Sequence, residues 1–81
     1  MNNVEFNALI IDKTIEYFKK QGIELSESDI FVSWMVKNLQ NNKAVVGVPQ
    51  NGMYLEFSYN GDKNQLYVDV YDKRENVSVQ L

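Results

Sequence analysis

The chain contains no cysteine and no histidine among its 81 residues. It therefore cannot form disulfides, thiol nucleophiles, serine–histidine triads or histidine-based zinc sites. Carboxylate sites for calcium or magnesium are not excluded by composition. However, the segment around Asp62 lacks the spaced oxygen ligands and the closing glutamate of a calcium loop. We therefore expect neither a metal nor another cofactor.

Basic residues are also scarce, with 8 Lys and Arg against 11 Asp and Glu, for a net charge of -3. Binding to duplex nucleic acid depends on clustered cations, so this balance argues against it. No apolar run reaches the roughly 20 residues that span a bilayer, and the polar start at Asn2 is not typical of a secretion signal. We expect a single cytoplasmic domain over residues 1–81 that does not bind membranes.

The strongest structural pattern is a β-hairpin made by residues 53–59 and 65–71, in which apolar and polar side chains alternate. Asn60 and Gly61 are predicted to adopt the two positive φ angles of a tight turn. A loop with an even number of residues keeps the apolar side chains of both strands on the same side, whereas a bulge would move one set across. The pattern therefore favours an even loop.

An amphipathic helix is predicted over residues 4–21, with Asn2 or Asn3 as its cap and Gly22 at its end. Its apolar stripe comprises Val4, Ala8, Ile11, Ile15 and Phe18, flanked by Ile10 and Tyr17. One helix of this length can cover only one face of a small sheet.

Between the helix and the hairpin, residues 30–39 alternate with period two and favour a strand, with a helix as the alternative. Residues 23–29 are either a polar connection or the cap of that alternative helix. Residues 40–43 and 49–52 read as turns around a short strand at residues 44–48, and residues 77–81 could add a fifth edge strand. The predicted fold class is α+β, one N-terminal helix packed on a four-stranded antiparallel meander.

Directly opposed residues of antiparallel strands point to the same side, so even turns assign every strand residue to one face. The face towards the helix should contain Phe31, Met35, Leu39, Ala44, Val46, Val48, Met53, Leu55, Phe57, Leu66, Val68 and Val70. The opposite face, here called the outer face, should contain Val32, Trp34, Val36, Val45, Tyr54, Glu56, Tyr67, Asp69 and Tyr71, with Trp34 near Gly47. A bulge in the first hairpin would instead place Trp34 under the helix as ordinary core.

No second layer is available to cover the outer face, although it carries tryptophan and tyrosines. Exposed patches of this kind mark interaction surfaces, and Trp and Tyr are enriched at binding hot spots. We therefore expect a noncatalytic protein-binding surface, for a homodimer or for another protein. Its candidate residues are Trp34, Tyr54, Glu56, Tyr67, Asp69 and Tyr71. A tyrosine ladder that only stiffens a solvated sheet is an equally good interpretation of the three tyrosines.

Two other classes of function use the same face. Aromatic rings at Trp34, Tyr54 and Tyr67 could stack on a nucleotide or on single-stranded nucleic acid, although acidic neighbours oppose this. Glu56 and Asp69 could form an acid–base pair, but nothing in the sequence indicates a pocket, and solvated surface charge is the simpler interpretation. We do not expect an enzyme.

Several short sequence motifs resemble those of a family of small uncharacterised proteins encoded by phages and prophages of Gram-positive bacteria. They are Trp34, Lys37, LQNNKA at residues 39–44, GMY at 52–54, Glu56, YNGDK at 59–63, Tyr67, Asp69 and Tyr71. The resemblance covers roughly residues 5–75 and carries over no catalytic residue. It implies a protein that acts in the cytoplasm of a bacterial host by binding host or defence machinery.

Overall fold

A computed structural model describes residues 1–75 and 77–81. Helix α1 (Asn3–Lys19) precedes four strands, which are β1 (Phe31–Asn38), β2 (Asn41–Val48), β3 (Met53–Asn60) and β4 (Gln65–Asp72). The strands form one antiparallel sheet in the order β1-β2-β3-β4. The predicted α+β fold, with a helix on a four-stranded meander, is confirmed. Residues 77–81 belong to no strand and are exposed.

Helix α1 begins with a capping box. The Asn2 side chain accepts a hydrogen bond from the Glu5 amide (2.8 Å), and the Glu5 carboxylate accepts one from the Asn2 amide (3.2 Å). This exchange satisfies two donors at the helix start. The helix ends at Lys19, two residues before the predicted end, and Gly22 follows with a φ of +79°, the left-handed conformation that glycine tolerates after a helix.

The buried face of α1 differs from the predicted stripe. Its buried residues are Phe6, Ile10, Thr14 and Phe18, whereas Val4 and Ala8 are exposed and Ile11 and Ile15 are half-buried. Thr14 explains the error, because a polar residue interrupts the apolar pattern of the true buried row. Its hydroxyl is satisfied locally by donating to the Ile10 carbonyl at 2.7 Å.

The core lies between α1 and one face of the sheet. The helix contributes three of its buried residues, and the two central strands contribute the rest, Ala44, Val46, Val48, Leu55 and Phe57. At one end of this layer, the Asn42 side-chain amide is buried and donates to the Met1 carbonyl at 3.2 Å. The helix-facing residues of β2 and β3 include the buried core residues, whereas those of β4, Leu66, Val68 and Val70, are half-buried or exposed.

The two hairpin turns at one end of the sheet differ from prediction. Asn41 already lies in β2, so the turn is residues 39–40 rather than 40–43, and Leu39 takes the positive φ of 55°. The second loop has four residues, 61–64, which confirms the even length, but its positive φ of 49° is at Asn64 and not at Asn60 or Gly61. Asn60 instead accepts hydrogen bonds from the amides of Asp62 and Lys63.

A bulge at Ser33 shifts the register of the first hairpin. Val32 lies opposite Val46 and Trp34 lies opposite Val45, so Ser33 is the additional residue, and its hydroxyl donates to the Val45 carbonyl at 3.1 Å. Because one added residue reverses sidedness, the residues before the bulge point the opposite way from prediction. Phe31 is on the outer face and 62% exposed, whereas Val32 faces the helix and is half-buried.

Three further predictions about sidedness are decided by the same pairings. Trp34 lies on the outer face, as predicted, and the alternative in which a bulge places it under the helix is wrong. Gly47 lies opposite Phe31 and not beside Trp34 in the register. Leu39 is an exposed turn residue and contributes nothing to the core. The predicted strand at residues 30–39 is confirmed, with its start at Phe31 and its end at Asn38.

Candidate functional site

The outer face is organised as four rows of side chains that run across the sheet, one residue from each strand. In strand order the rows are Phe31, Gly47, Tyr54 and Tyr71; Trp34, Val45, Glu56 and Asp69; Val36, Lys43, Ser58 and Tyr67; and Asn38, Asn41, Asn60 and Gln65. Neighbouring strands lie about 4.8 Å apart, so each row spans about 14 Å. The aromatic side chains are in the first three rows, and the last row contains only amides.

All six candidate residues from the sequence lie on this face. Tyr54 and Glu56 on β3 adjoin the three candidates on β4, so these five form one group. Trp34 lies on β1, with β2 between it and that group. The six residues therefore occupy a broad surface and do not converge on one point.

The three tyrosines do not form a single ladder. Tyr54 and Tyr71 stack with ring centroids 4.8 Å apart and ring planes 12° from parallel. Tyr67 lies in a different row, and its hydroxyl donates to Gln65 Oε1 at 2.6 Å. As whole residues, Trp34 and Tyr67 are 49% and 48% exposed. These two aromatic side chains, one on each edge strand, are open to a partner, whereas the stacked pair is partly self-covered.

The charged side chains of the outer face are Lys43 on β2, Glu56 on β3 and Asp69 on β4. Glu56 lies directly opposite Asp69, and the Lys43 ammonium contacts Glu56 Oε1 at 3.0 Å. Within residues 1–75 and 77–81, no ion pair reaches Asp69. The Lys43 charge therefore compensates one carboxylate and leaves the other available to a cation from outside the chain.

The surroundings of Tyr71, beside these acidic residues, affect the pKa of its phenol. Partial desolvation, followed by the negative charges of Asp69 and Glu56, raises the pKa of Tyr71 above 10.0. The phenol at this position therefore retains its proton as a hydrogen-bond donor to higher pH than an isolated tyrosine.

Two open depressions lie at opposite ends of the outer face. The larger, of about 370 Å³, lies near the two hairpin turns and is lined by residues including Val36, Lys43, Ser58 and Tyr67. The smaller, of about 240 Å³, is lined by residues including Gly47, Gly52, Tyr54 and Lys73. Neither encloses a pair of carboxylates. Both depressions are open to solvent.

Sequence reasoning missed two contributors to this face. Phe31 was assigned to the core because nothing in the sequence marks Ser33 as a bulge. Lys43 was assigned to a turn, although its position opposite Ser58 and diagonal to Glu56 follows once β2 is extended to Asn41. A charge pair across neighbouring strands is the signal that could have found Lys43.

Among the residues that the structure describes, no group of three or more acidic side chains is arranged to hold a metal ion. The same residues include no helix long and apolar enough to cross a membrane.

The fold and its exposed face define a small α+β domain whose antiparallel sheet is covered by a helix on one side only. The chain belongs to a family of unknown function, DUF6275, whose model matches residues 7–81. No curated protein and no solved structure matches the chain.

Proposed function

We propose that this protein is a noncatalytic binding protein that acts through protein–protein contact at its outer face. The observation that carries the proposal is the position of Phe31, Trp34 and Tyr67, exposed on a sheet face over which the described residues form no second layer. Large exposed apolar side chains gathered on one face favour association, because association removes their surface from water.

The chemistry of the face suits a protein partner. Trp34 and Tyr67 offer rigid rings that bury a large area at little cost in conformational entropy. The two depressions would receive side chains of the partner, and Asp69 would face a lysine or arginine on it. Because Asp69 is exposed, its charge contributes to selectivity and to the rate of association more than to affinity.

The proposed biological setting follows from the resemblance to small phage and prophage proteins of Gram-positive bacteria. We propose that the protein acts in the cytoplasm of a bacterial host and that its partner is a host or anti-phage defence protein, which it inhibits by occlusion. A homodimer through the same face is the other protein complex that this surface would support.

Binding of a nucleotide or of single-stranded nucleic acid is the alternative function, and the open rings of Trp34 and Tyr67 favour it. The charges of the face oppose it. Lys43 is already paired with Glu56, and Asp69 would repel a phosphate. A protein partner therefore fits the outer face better than a nucleic acid strand does.

The test is affinity capture from nuclease-treated bacterial lysate, read by quantitative mass spectrometry. The wild type is compared with Trp34→Ala/Tyr67→Ala and with Val4→Ala/Leu39→Ala, a control that truncates two exposed apolar side chains away from the outer face. We expect one set of proteins to be retained by the wild type and the control and lost from the outer-face variant. Circular dichroism should show equal helix content in all three.

Equal capture by the two double variants would contradict the proposal. A salt titration separates the alternative, because binding to a nucleic acid strand falls steeply with ionic strength, whereas an aromatic protein interface responds weakly. Steep salt dependence together with loss of binding after nuclease treatment would favour the nucleic acid.

A further inference from the structure

Strand β4 is an open edge of the sheet. It pairs with β3 at every position from Gln65 to Asp72 without a register shift and contains no proline, and its charged residues are Asp69 on the outer face and Asp72 at its last position on the helix side. Soluble proteins usually protect such edges with bulges, prolines or inward-facing charges. The opposite edge, β1, has such protection in the bulge at Ser33 and in Lys37. The two edges therefore differ in regularity, because β1 is interrupted by a bulge, whereas β4 is unbroken and has its helix-side charge only at its last residue.

The side of β4 that faces the helix is also incompletely covered. Val68 lies opposite Phe57, a fully buried core residue, yet Val68 is 40% exposed. Leu66 and Val70 on the same side are only half-buried. An open groove lined by α1 residues including Lys13 and Tyr17 separates the helix from Val68. The apolar layer of the core thus reaches the edge of the sheet, where residues 1–75 and 77–81 leave Val68 partly exposed.

We propose that β4 pairs antiparallel with β4 of a second copy of this chain, around a two-fold axis at Val68, to form a continuous eight-stranded sheet. Opposed residues must point to the same side, so such an axis passes through a residue and not between two residues. With the axis at Val68, Val68 meets its own counterpart and Leu66 meets Val70 on the helix side. On the outer face, Tyr67 meets Asp69 of the other copy.

Neighbouring registers are less complementary. An axis at Asp69 places the two Asp69 carboxylates directly opposite each other, and opposed like charges are destabilising. The same axis also places Leu66 against Asp72. An axis at Tyr67 or Val70 leaves three of the eight strand residues unpaired, whereas an axis at Val68 leaves only Asp72 unpaired. The register at Val68 pairs residues 65–71 of both copies and keeps apolar side chains together. Because residues 65–71 of β4 are complementary to the same residues of a second copy, we infer that a second copy of the chain pairs with this edge.

This inference goes beyond the proposed function because it depends on the backbone edge and on the helix side of β4, not on the exposed rings of Trp34 and Tyr67. In the dimer, the two outer faces would adjoin on one side of the joined sheet. Failure of the dimer would leave the binding function of the single outer face unaffected.

The first experiment measures self-association by sedimentation and native mass spectrometry up to about 0.5 mM, since one strand pair is a small interface. We expect a dimer for the wild type and at least a tenfold weaker dimer for Val68→Glu and for Val68→Lys, in which like charges meet at the axis. Mixing these two variants should restore the dimer as a heterodimer. Val36→Glu is the matched control on the other edge strand, since Val36 is 42% exposed.

The second experiment keeps the proposal testable if a charge at position 68 disturbs folding. Val68→Cys and Val36→Cys each introduce the only cysteine of the chain. Opposed residues in antiparallel strands have Cα atoms about 4.5–5.5 Å apart, which a disulfide can bridge. Under mild oxidation Val68→Cys should form a covalent dimer and Val36→Cys should not.

A monomeric wild type at the highest concentration would overturn the proposal. Dimers of Val68→Glu as stable as those of the wild type would do the same, as would equal crosslinking of the two cysteine variants. Deletion of residues 77–81 should leave the dimer intact. Loss of the dimer on that deletion would identify the C-terminal segment as the occupant of the edge, and the pairing of β4 with β4 would be wrong.

Discussion

Replacing Gly61 with alanine should destabilise the protein, although the Gly61 backbone does not have a positive φ. The reason is a close approach between the two hairpin turns. A Cβ on residue 61 would overlap the Gln40 carbonyl oxygen and lie 2.8 Å from Gln40 Cβ. Two hydrogen bonds reinforce the contact. The Gln40 side-chain amide donates to the Asp62 carboxylate (2.8 Å), and the Gly61 backbone amide donates to the Asn41 side-chain oxygen (3.2 Å).

The magnitude for Gly61→Ala follows from two opposing effects. Overpacking of one methyl group costs about 1–3 kcal/mol, whereas alanine restricts the unfolded chain and returns about 0.4–1 kcal/mol. The net change is a loss of about 1–2 kcal/mol in the free energy of unfolding. For a domain of this size, each kcal/mol lowers the Tm by about 4–8 °C.

Thermal and urea denaturation followed by circular dichroism measure this change. Gly47→Ala is the control, because a Cβ there would lie 3.8 Å from the Phe31 carbonyl, an ordinary contact. Alanine in a strand interior should raise the stability at that position by about 0.5–1 kcal/mol. A Gly61→Ala protein as stable as the wild type, or more stable, would refute the steric explanation.

Three further changes test the core, the helix cap and the field on the outer face. Phe57→Ala should cost about 3–5 kcal/mol because Phe57 is fully buried between the sheet and α1. Asn2→Ala should cost about 1 kcal/mol and reduce helix content, since it removes the N-cap. Neutralising the two outer-face acids in Glu56→Gln/Asp69→Asn should lower the pKa of Tyr71, read from ultraviolet absorbance as the difference from Tyr71→Phe.

Each of these predictions has its own contrary outcome. Tyr67→Ala is the surface control for Phe57→Ala, and an equal loss in both would mean that the core is placed wrongly. Unchanged helix content in Asn2→Ala would show that the capping box contributes nothing.

The pKa of Tyr71 is raised in the folded chain. The contribution of Tyr71 to stability is therefore full below pH 10.0 and is lost as the pH rises through the folded-state pKa. An unmoved pKa in the double variant would exclude the two acids as a cause.

Much of the fold follows from local patterns of the sequence. The hairpin of β3 and β4 follows from strict alternation on both sides of a polar loop, and the observed strands are each one residue longer than predicted. The left-handed Gly22 shortly after the helix and the turn at Pro49–Asn51 follow from the conformational preferences of glycine and proline, although the helix itself ends at Lys19, two residues earlier than predicted. Such features depend on a few neighbouring residues, so no tertiary information is needed.

The errors arise where a distant contact decides the structure. The bulge at Ser33 depends on the pairing with β2, and it exchanged the sides of Phe31 and Val32. Thr14 is buried because its hydroxyl is satisfied within the helix, which a search for apolar residues overlooks. The position of Gly61 reflects contact with another turn and not its own φ. The six candidate residues share the outer face because the bulge lies before Trp34, so it does not affect them.

The central claim is that the outer face is open in the free chain and is covered by a protein partner. Trp34 reports on it directly, as the only tryptophan in the chain and 49% exposed. We expect its fluorescence in the free protein to be readily quenched by acrylamide. Saturation with the captured partner should shift the emission to shorter wavelength and protect it from the quencher. A complex that forms with the Trp34 emission and quenching unchanged would contradict the claim.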